Sequence, residues 1–262
     1  MAPSSRRALS AWLLAAVLLA GCGSPSGTAQ APDAQSKPDL AHSLLDAANQ
    51  ALAQGDPATA STYFRAVYAR EPGNLPAALG LMQSLRLVGG LAEASELAAK
   101  LLKAKPDDPA VLAEAGKVKL ATGSTKEAIG LLEKAAAADA QDWRTRSALG
   151  LAYDRLGDWD AADRSYQAAL KLAPDDAAVL NNYALSRAMA GDLDGAQALA
   201  QRAAAAMGAD LRVRQNLALI YALSGSMAKA EELTRRDLPA AAARETIEYY
   251  RELAAAAAPQ QP

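Results

Sequence analysis

The chain of 262 residues has little of the chemistry most active sites need: one cysteine, Cys22, and one histidine, His42. A disulfide requires two thiols and a Cys/His zinc site requires more ligands than these, so both are excluded within one chain. Nucleophilic catalysis by a Ser–His or Cys–His pair is left with His42, which borders a Pro/Ser/Gln-rich tract where a histidine is ordinarily a surface residue. Aromatic residues are 5 % of the chain and β-branched residues are few, which argues against a β-rich fold. There is no glycine-rich phosphate loop, no GxGxxG, no HExxH and no GxSxG. The acid pairs Asp107-Asp108 and Asp175-Asp176 follow prolines and read as turn and helix-cap residues, not as a general acid/base dyad. The net charge of −2 at pH 7 is no footprint for nucleic acid. These shortages predict a chain that is not an enzyme and takes no metal, no bound cofactor and no small-molecule substrate.

Alanine, by contrast, is abundant: 68 residues of a chain that is 51 % hydrophobic. So much small apolar surface favours helices packed closely over a bulky core. The N-terminus is different in kind. Arg6 and Arg7 precede an apolar run at residues 11–20, too short for the roughly 20 residues of a membrane span but right for the h-region of a secretory signal. The next residues, Leu19-Ala20-Gly21-Cys22, resemble the bacterial lipoprotein signal box. That resemblance implies a signal peptide over 1–21 and a mature chain starting at Cys22, its thiol carrying diacylglyceryl and its amine an N-acyl chain. An ordinary secretory signal followed by an incidental cysteine is the alternative, but charged region, apolar region and box agree in order and spacing. Two or three acyl chains hold a protein to a bilayer where one is marginal. Gly23 stands where an Asp would mark inner-membrane retention, so the resemblance implies the periplasmic face of the outer membrane. Residues 22–40, rich in Gly, Ser, Pro and Gln, read as a flexible tether.

The remainder repeats. Glycine recurs at 55, 89, 123, 157, 191 and 225, a constant step of 34, and alanine follows five residues later at 60, 94, 128, 162, 196 and 230. Around Gly157 apolar residues fall at helical spacing: Ala148, Leu149, Ala152, Tyr153 and Leu156 before it, Ala162, Tyr166, Ala169 and Leu170 after it. Glycine ends one helix, Asp158 or Asp192 suits capping the next, and Pro72, Pro106 and Pro174 punctuate the steps, with Gly208 in the following slot. Gly or Ala at 116, 150, 184 and 218 is expected to face Ala128, Ala162, Ala196 and Ala230 so that paired helices pack backbone to backbone. Met82 breaks that series, so the second unit is expected to be splayed or offset.

Residues 143–176, with Leu149-Gly150, Tyr153, Gly157, Ala162, Tyr166, Ala169 and Pro174, resemble the tetratricopeptide repeat (TPR) family. The resemblance implies an all-α solenoid of about six helix-turn-helix repeats in a right-handed superhelix, at 41–74, 75–108, 109–142, 143–176, 177–210 and 211–244. Residues 245–262 then form a capping helix and a disordered tail, the cap pattern itself starting near Pro239 with Ile247, Tyr250 and Leu253 inward. The first helices of the units should line an inner groove for a protein segment. Its candidate residues are Lys117, Arg144, Ser147, Leu151, Asp154, Asn181, Asn182, Leu185, Arg212, Gln215, Asn216 and Leu219. The amides at 181, 182, 215 and 216 have both donors and acceptors for a peptide backbone, although Asn at the second of these places also serves structure in such repeats.

The stretch 175–239, with Val179-Leu180-Asn181-Asn182-Tyr183-Ala184-Leu185, Gly208-Ala209-Asp210, Arg212-Val213-Arg214-Gln215-Asn216 and Arg236-Asp237-Leu238-Pro239, resembles the TadD family of tight-adherence (Tad/Flp) pilus lipoproteins. This resemblance implies a pilotin-like partner of the pilus secretin or another Tad assembly component. The competing readings are a type IV pilus pilotin, or an envelope scaffold that recruits peptidoglycan enzymes.

Overall fold

A computed structural model describes residues 36–257. The leader at 1–21, the lipidation site Cys22, the tether as far as residue 35 and the tail from residue 258 lie outside the described residues. Among the described residues there are thirteen helices and no strand. In chain order they are α1 (Ser36–Ala53), α2 (Pro57–Arg70), α3 (Leu75–Val88), α4 (Leu91–Ala104), α5 (Pro109–Ala121), α6 (Thr125–Ala138), α7 (Trp143–Asp154), α8 (Trp159–Leu172), α9 (Ala177–Met189), α10 (Leu193–Ala205), α11 (Leu211–Leu223), α12 (Met227–Asp237) and α13 (Ala240–Ala257). Each odd-numbered helix up to α11 packs antiparallel to the even-numbered helix after it, and each pair packs on its neighbours.

Two boundaries differ from the sequence reading. Helix α1 begins at Ser36, inside the stretch read as tether, because Pro38 falls in the first turn, where a missing N–H breaks no helical bond. Helix α13 begins at Ala240, with the Pro239 carbonyl accepting from the Ala243 N–H, so the cap is longer at its N-terminal end than 245–262.

The turns show why the period is so strict. All six glycines of the 34-residue series have positive φ, between 73° and 88°, and close the turn between the two helices of a unit. A second series starts the first helix of each unit from the second onward. Asn74, Asp108, Asp142, Asp176 and Asp210 each accept backbone N–H bonds from the helix they begin, as when Asp176 Oδ1 accepts from Ala178 and Val179 at 3.0 and 2.9 Å.

At Gly116 the expected backbone approach is present, with the Ala128 carbonyl oxygen 3.3 Å from where a Cβ would lie, and both glycines of the series also admit a large side chain. A Cβ on Gly116 would lie 2.7 Å from Leu132, and one on Gly150 would lie 2.6 Å from the ring of Tyr166. The glycine makes room for a large side chain one turn beyond the alanine it was expected to face, while Ala128 and Ala162 are themselves fully buried. In the second unit these volumes are exchanged: Met82 is wholly buried on α3 and its opposite position on α4 is Ala98. The close approach moves to the preceding step, where Gly80 receives the Phe64 ring, and α3 packs more tightly on α2 than on α4. The offset expected from Met82 is thus present, and it is compensated. At the far end Ala243, Ile247 and Tyr250 of α13 are buried, and the Tyr250 hydroxyl donates to the Gln215 carbonyl at 3.1 Å.

Candidate partner-binding groove

Because stacking is handled by the second helices and by one face of the first, the opposite face of α3, α5, α7 and α9 is left to line a hollow of about 340 Å³. Its floor is Leu120, Ala121, Ala148 and Leu151, and its polar wall includes Gln83, Ser147 and Asn182. Four cations complete it: Arg86 from α3, Lys117 from α5, Arg144 from α7, and Arg155 at the end of α7. None of the lining residues is acidic.

Each cation is held in place. Arg86 Nε donates to Glu114 Oε1 at 3.0 Å, and Lys117 Nζ lies 3.4 Å from the other oxygen of that buried carboxylate. The guanidinium of Arg144 lies 4.2 Å from the centre of the Trp143 ring, which orients it without neutralising it. Arg155 donates to the carbonyl of Leu120, joining the third unit to the fourth. The aliphatic floor between fixed charges gives the hollow both an apolar and an anion-binding character.

Of the residues singled out from sequence, Lys117, Arg144, Ser147, Leu151 and Asn182 meet in this hollow. Asp154 does not belong with them. It is buried beneath the face, where its Oδ2 accepts from the Tyr166 hydroxyl at 2.8 Å and its Oδ1 from the Ser186 hydroxyl at 2.6 Å, tying α7, α8 and α9 together. Burial raises its pKa above the usual carboxylate value against the pull of those two hydrogen bonds, and burial with the nearby Asp154 charge drives the Tyr166 hydroxyl upward. Its position in the helix matched the groove stripe, but Tyr166 and Ser186 offer it an interior site.

The amides also turn inward to one another. Asn181 is buried, and its Oδ1 accepts from Asn216 Nδ2 at 2.9 Å across the step from α9 to α11. Asn181 in turn donates weakly to Asn182 Oδ1 at 3.5 Å. Gln215 sits under the cap through its carbonyl, and Arg212 is exposed beside Asp210 at 3.6 Å, away from the hollow. His42 lies exposed on α1 with Asp46 one turn on at 3.4 Å. Sequence reasoning missed Gln83, Arg86 and Arg155. The first was legible, since Gln83, Lys117 and Leu151 are spaced by the same 34 residues and Arg86 lies one turn after Gln83.

No helix among the described residues is long and apolar enough to cross a membrane, and none of their His, Cys, Asp and Glu side chains cluster in the number a metal site needs.

Residues 51–115 and 143–176 match tetratricopeptide repeat families. Comparison with curated proteins gave no match. Among solved structures the chain is similar to TTC0263, a thermophilic TPR protein of Thermus thermophilus, with TM-score 0.64 at 22 % identity over 69 % of this chain and 98 % of that one. A tetratricopeptide repeat protein of Parabacteroides merdae aligns with TM-score 0.56 at 19 % identity, over 84 % of this chain and 91 % of its own. The hetero-tetramer Cut9–Hcn1 of the APC/C gives TM-score 0.66 at 16 % identity, over 82 % of this chain and 43 % of that one. At these identities the solved structures show the fold alone, and with the two family matches they make this an all-helical tetratricopeptide solenoid, its repeats matched at 51–115 and 143–176.

Proposed function

We propose that this protein is a lipid-anchored adaptor of the bacterial outer membrane that holds a segment of an envelope protein in its inner groove, and that the complex it serves is the Tad/Flp pilus machinery, with the secretin as the partner. Tetratricopeptide solenoids are protein-interaction scaffolds, and the observation that carries the reading here is the inner hollow of α3 to α9, an apolar floor ringed by fixed charges and left open among the described residues. The lipoprotein signal box at Cys22 supplies the anchor, and the resemblance over 175–239 supplies the system. Anchoring confines adaptor and partner to one surface, which raises their effective concentration without any new contact.

The test is Cys22→Ser. The variant keeps the thermal unfolding of the native protein but loses membrane association and surface pili; normal pili in that strain would overturn the reading. Affinity capture from envelopes separates the alternatives, since recovery of the pilus secretin supports the proposal and recovery of murein hydrolases or synthases instead supports the peptidoglycan scaffold.

A further inference from the structure

The inner hollow has a charge the rest of the chain does not share. The whole sequence carries a net charge of −2, yet Arg86, Lys117, Arg144 and Arg155 converge on one hollow while the lining contributes no acid. Glu114, buried behind Arg86 and Lys117, is the carboxylate paired with them, and Asp154 lies buried beneath the face, so positive charge remains in excess at the space. Four cations from three successive units, each pinned by a ring, a carboxylate or a carbonyl, are preorganised, and an anion entering there need not order them. Leu120, Ala121, Ala148 and Leu151 lie between them and offer apolar contact but no polar partner.

From this juxtaposition we infer that the hollow of α3, α5, α7 and α9 recognises an acidic peptide segment, in which carboxylates on both sides of an aliphatic residue meet the four cations while that residue rests on the leucine and alanine floor. The inference rests on the reading of this face as the docking face and adds the chemistry of what docks. Guanidinium groups suit carboxylates by their paired donors, and the floor discriminates against a chain that is acidic throughout. Charge matching of this kind acts on encounter rate and partner choice, and it weakens as salt rises.

The probe is a fluorescent peptide with the core Glu-Glu-Leu-Glu-Glu, titrated into the full-length protein in detergent and followed by anisotropy, beside its amide counterpart Gln-Gln-Leu-Gln-Gln. The acidic peptide is expected to saturate binding and the amide peptide to bind about tenfold or more weakly, with the difference shrinking at high salt. Arg144→Glu, at an exposed position, should weaken the acidic peptide by about tenfold. Arg164→Glu makes the same charge change in the outer notch between α6 and α8 and should alter binding less than about twofold. Equal binding of the two peptides, or equal loss with both variants, overturns the inference. So does capture of phosphatidylglycerol vesicles that Arg144→Glu abolishes while the acidic peptide fails to bind. If a native partner crosslinks to the groove but the acidic peptide does not displace it, acidic recognition falls and groove docking stands. If nothing crosslinks there, both fall.

Discussion

The inner face of the solenoid changes character halfway along. From α3 to α7 it is cationic, with Arg86, Lys117, Arg144 and Arg155 around an apolar floor. From α9 to α11 the positions one and two repeats after Ser147 and Ala148 carry Asn181, Asn182, Gln215 and Asn216, and the asparagines use hydrogen-bonding capacity on one another. Both stretches are built from helix-turn-helix units, and what differs on the inner face is the side chains. In a stacked repeat the inner positions are free of the stacking core, and each unit can carry either a recognition residue or a strut without altering its neighbours. Asp154 marks the border: one carboxylate, buried with Tyr166 and Ser186, joins the two stretches.

That comparison can be broken most forcefully at the border. Tyr166→Ala removes a wholly buried ring that fills the space left by Gly150 and takes one hydrogen-bond donor from Asp154. A loss of about 3–5 kcal/mol is expected in urea unfolding, and the two stretches should then unfold in separable steps. A single transition with little loss would show that the border does not couple them. Ala162→Leu, in the same unit at a fully buried position, should cost about 1–3 kcal/mol by overpacking.

The contrast between strut and recognition residue is sharpened by a pair of substitutions. Asn216→Ala leaves the buried Asn181 acceptor without its donor, and thermal or chemical unfolding should register about 1–2 kcal/mol. Arg144→Ala, at an exposed position in the cationic stretch, should change stability by less than about 0.5 kcal/mol while weakening partner binding. The smallest effect is one of pH. Burial raises the Asp154 pKa in the folded chain, so folding is penalised once pH rises above the unfolded value near 3.8 and through the folded one. Replacing it as Asp154→Asn removes that penalty, and the stability of the variant relative to the native protein should therefore improve between pH 3 and pH 7, read by unfolding at each pH. A relative stability that falls over that range would contradict the assignment of burial as the dominant cause.

Much of the architecture was legible because it is written in local chemistry. The glycines at 34-residue spacing require positive φ, and nothing else in the chain competes for those turns. The departure at Met82 could be read as an offset, but its compensation by Gly80 against Phe64 depends on a neighbour in the preceding unit, which the helical period does not encode. The capping series from Asn74 to Asp210 has the same 34-residue step as the glycines, yet only Asp108 and Asp176 stand out as caps, since these two follow a proline and a second acid. The groove was half legible. Helical phase gave Lys117, Arg144, Ser147, Leu151 and Asn182, yet the same phase also offered Asp154 and Asn181, which went inward because polar partners stood within reach. Arg155 escaped notice because it sits past the last regular turn of α7, where phase is no guide.

A partner on the inner face is the central requirement of the proposed function. Its most direct test is photo-crosslinking in cells with a benzophenone amino acid placed at Leu151, on the floor of the hollow, and at Ala168, in the outer notch between α6 and α8. The account predicts a discrete adduct from position 151 that is reduced by Arg144→Glu, and none from position 168. An adduct from 168 alone, or one from 151 indifferent to Arg144, would contradict it.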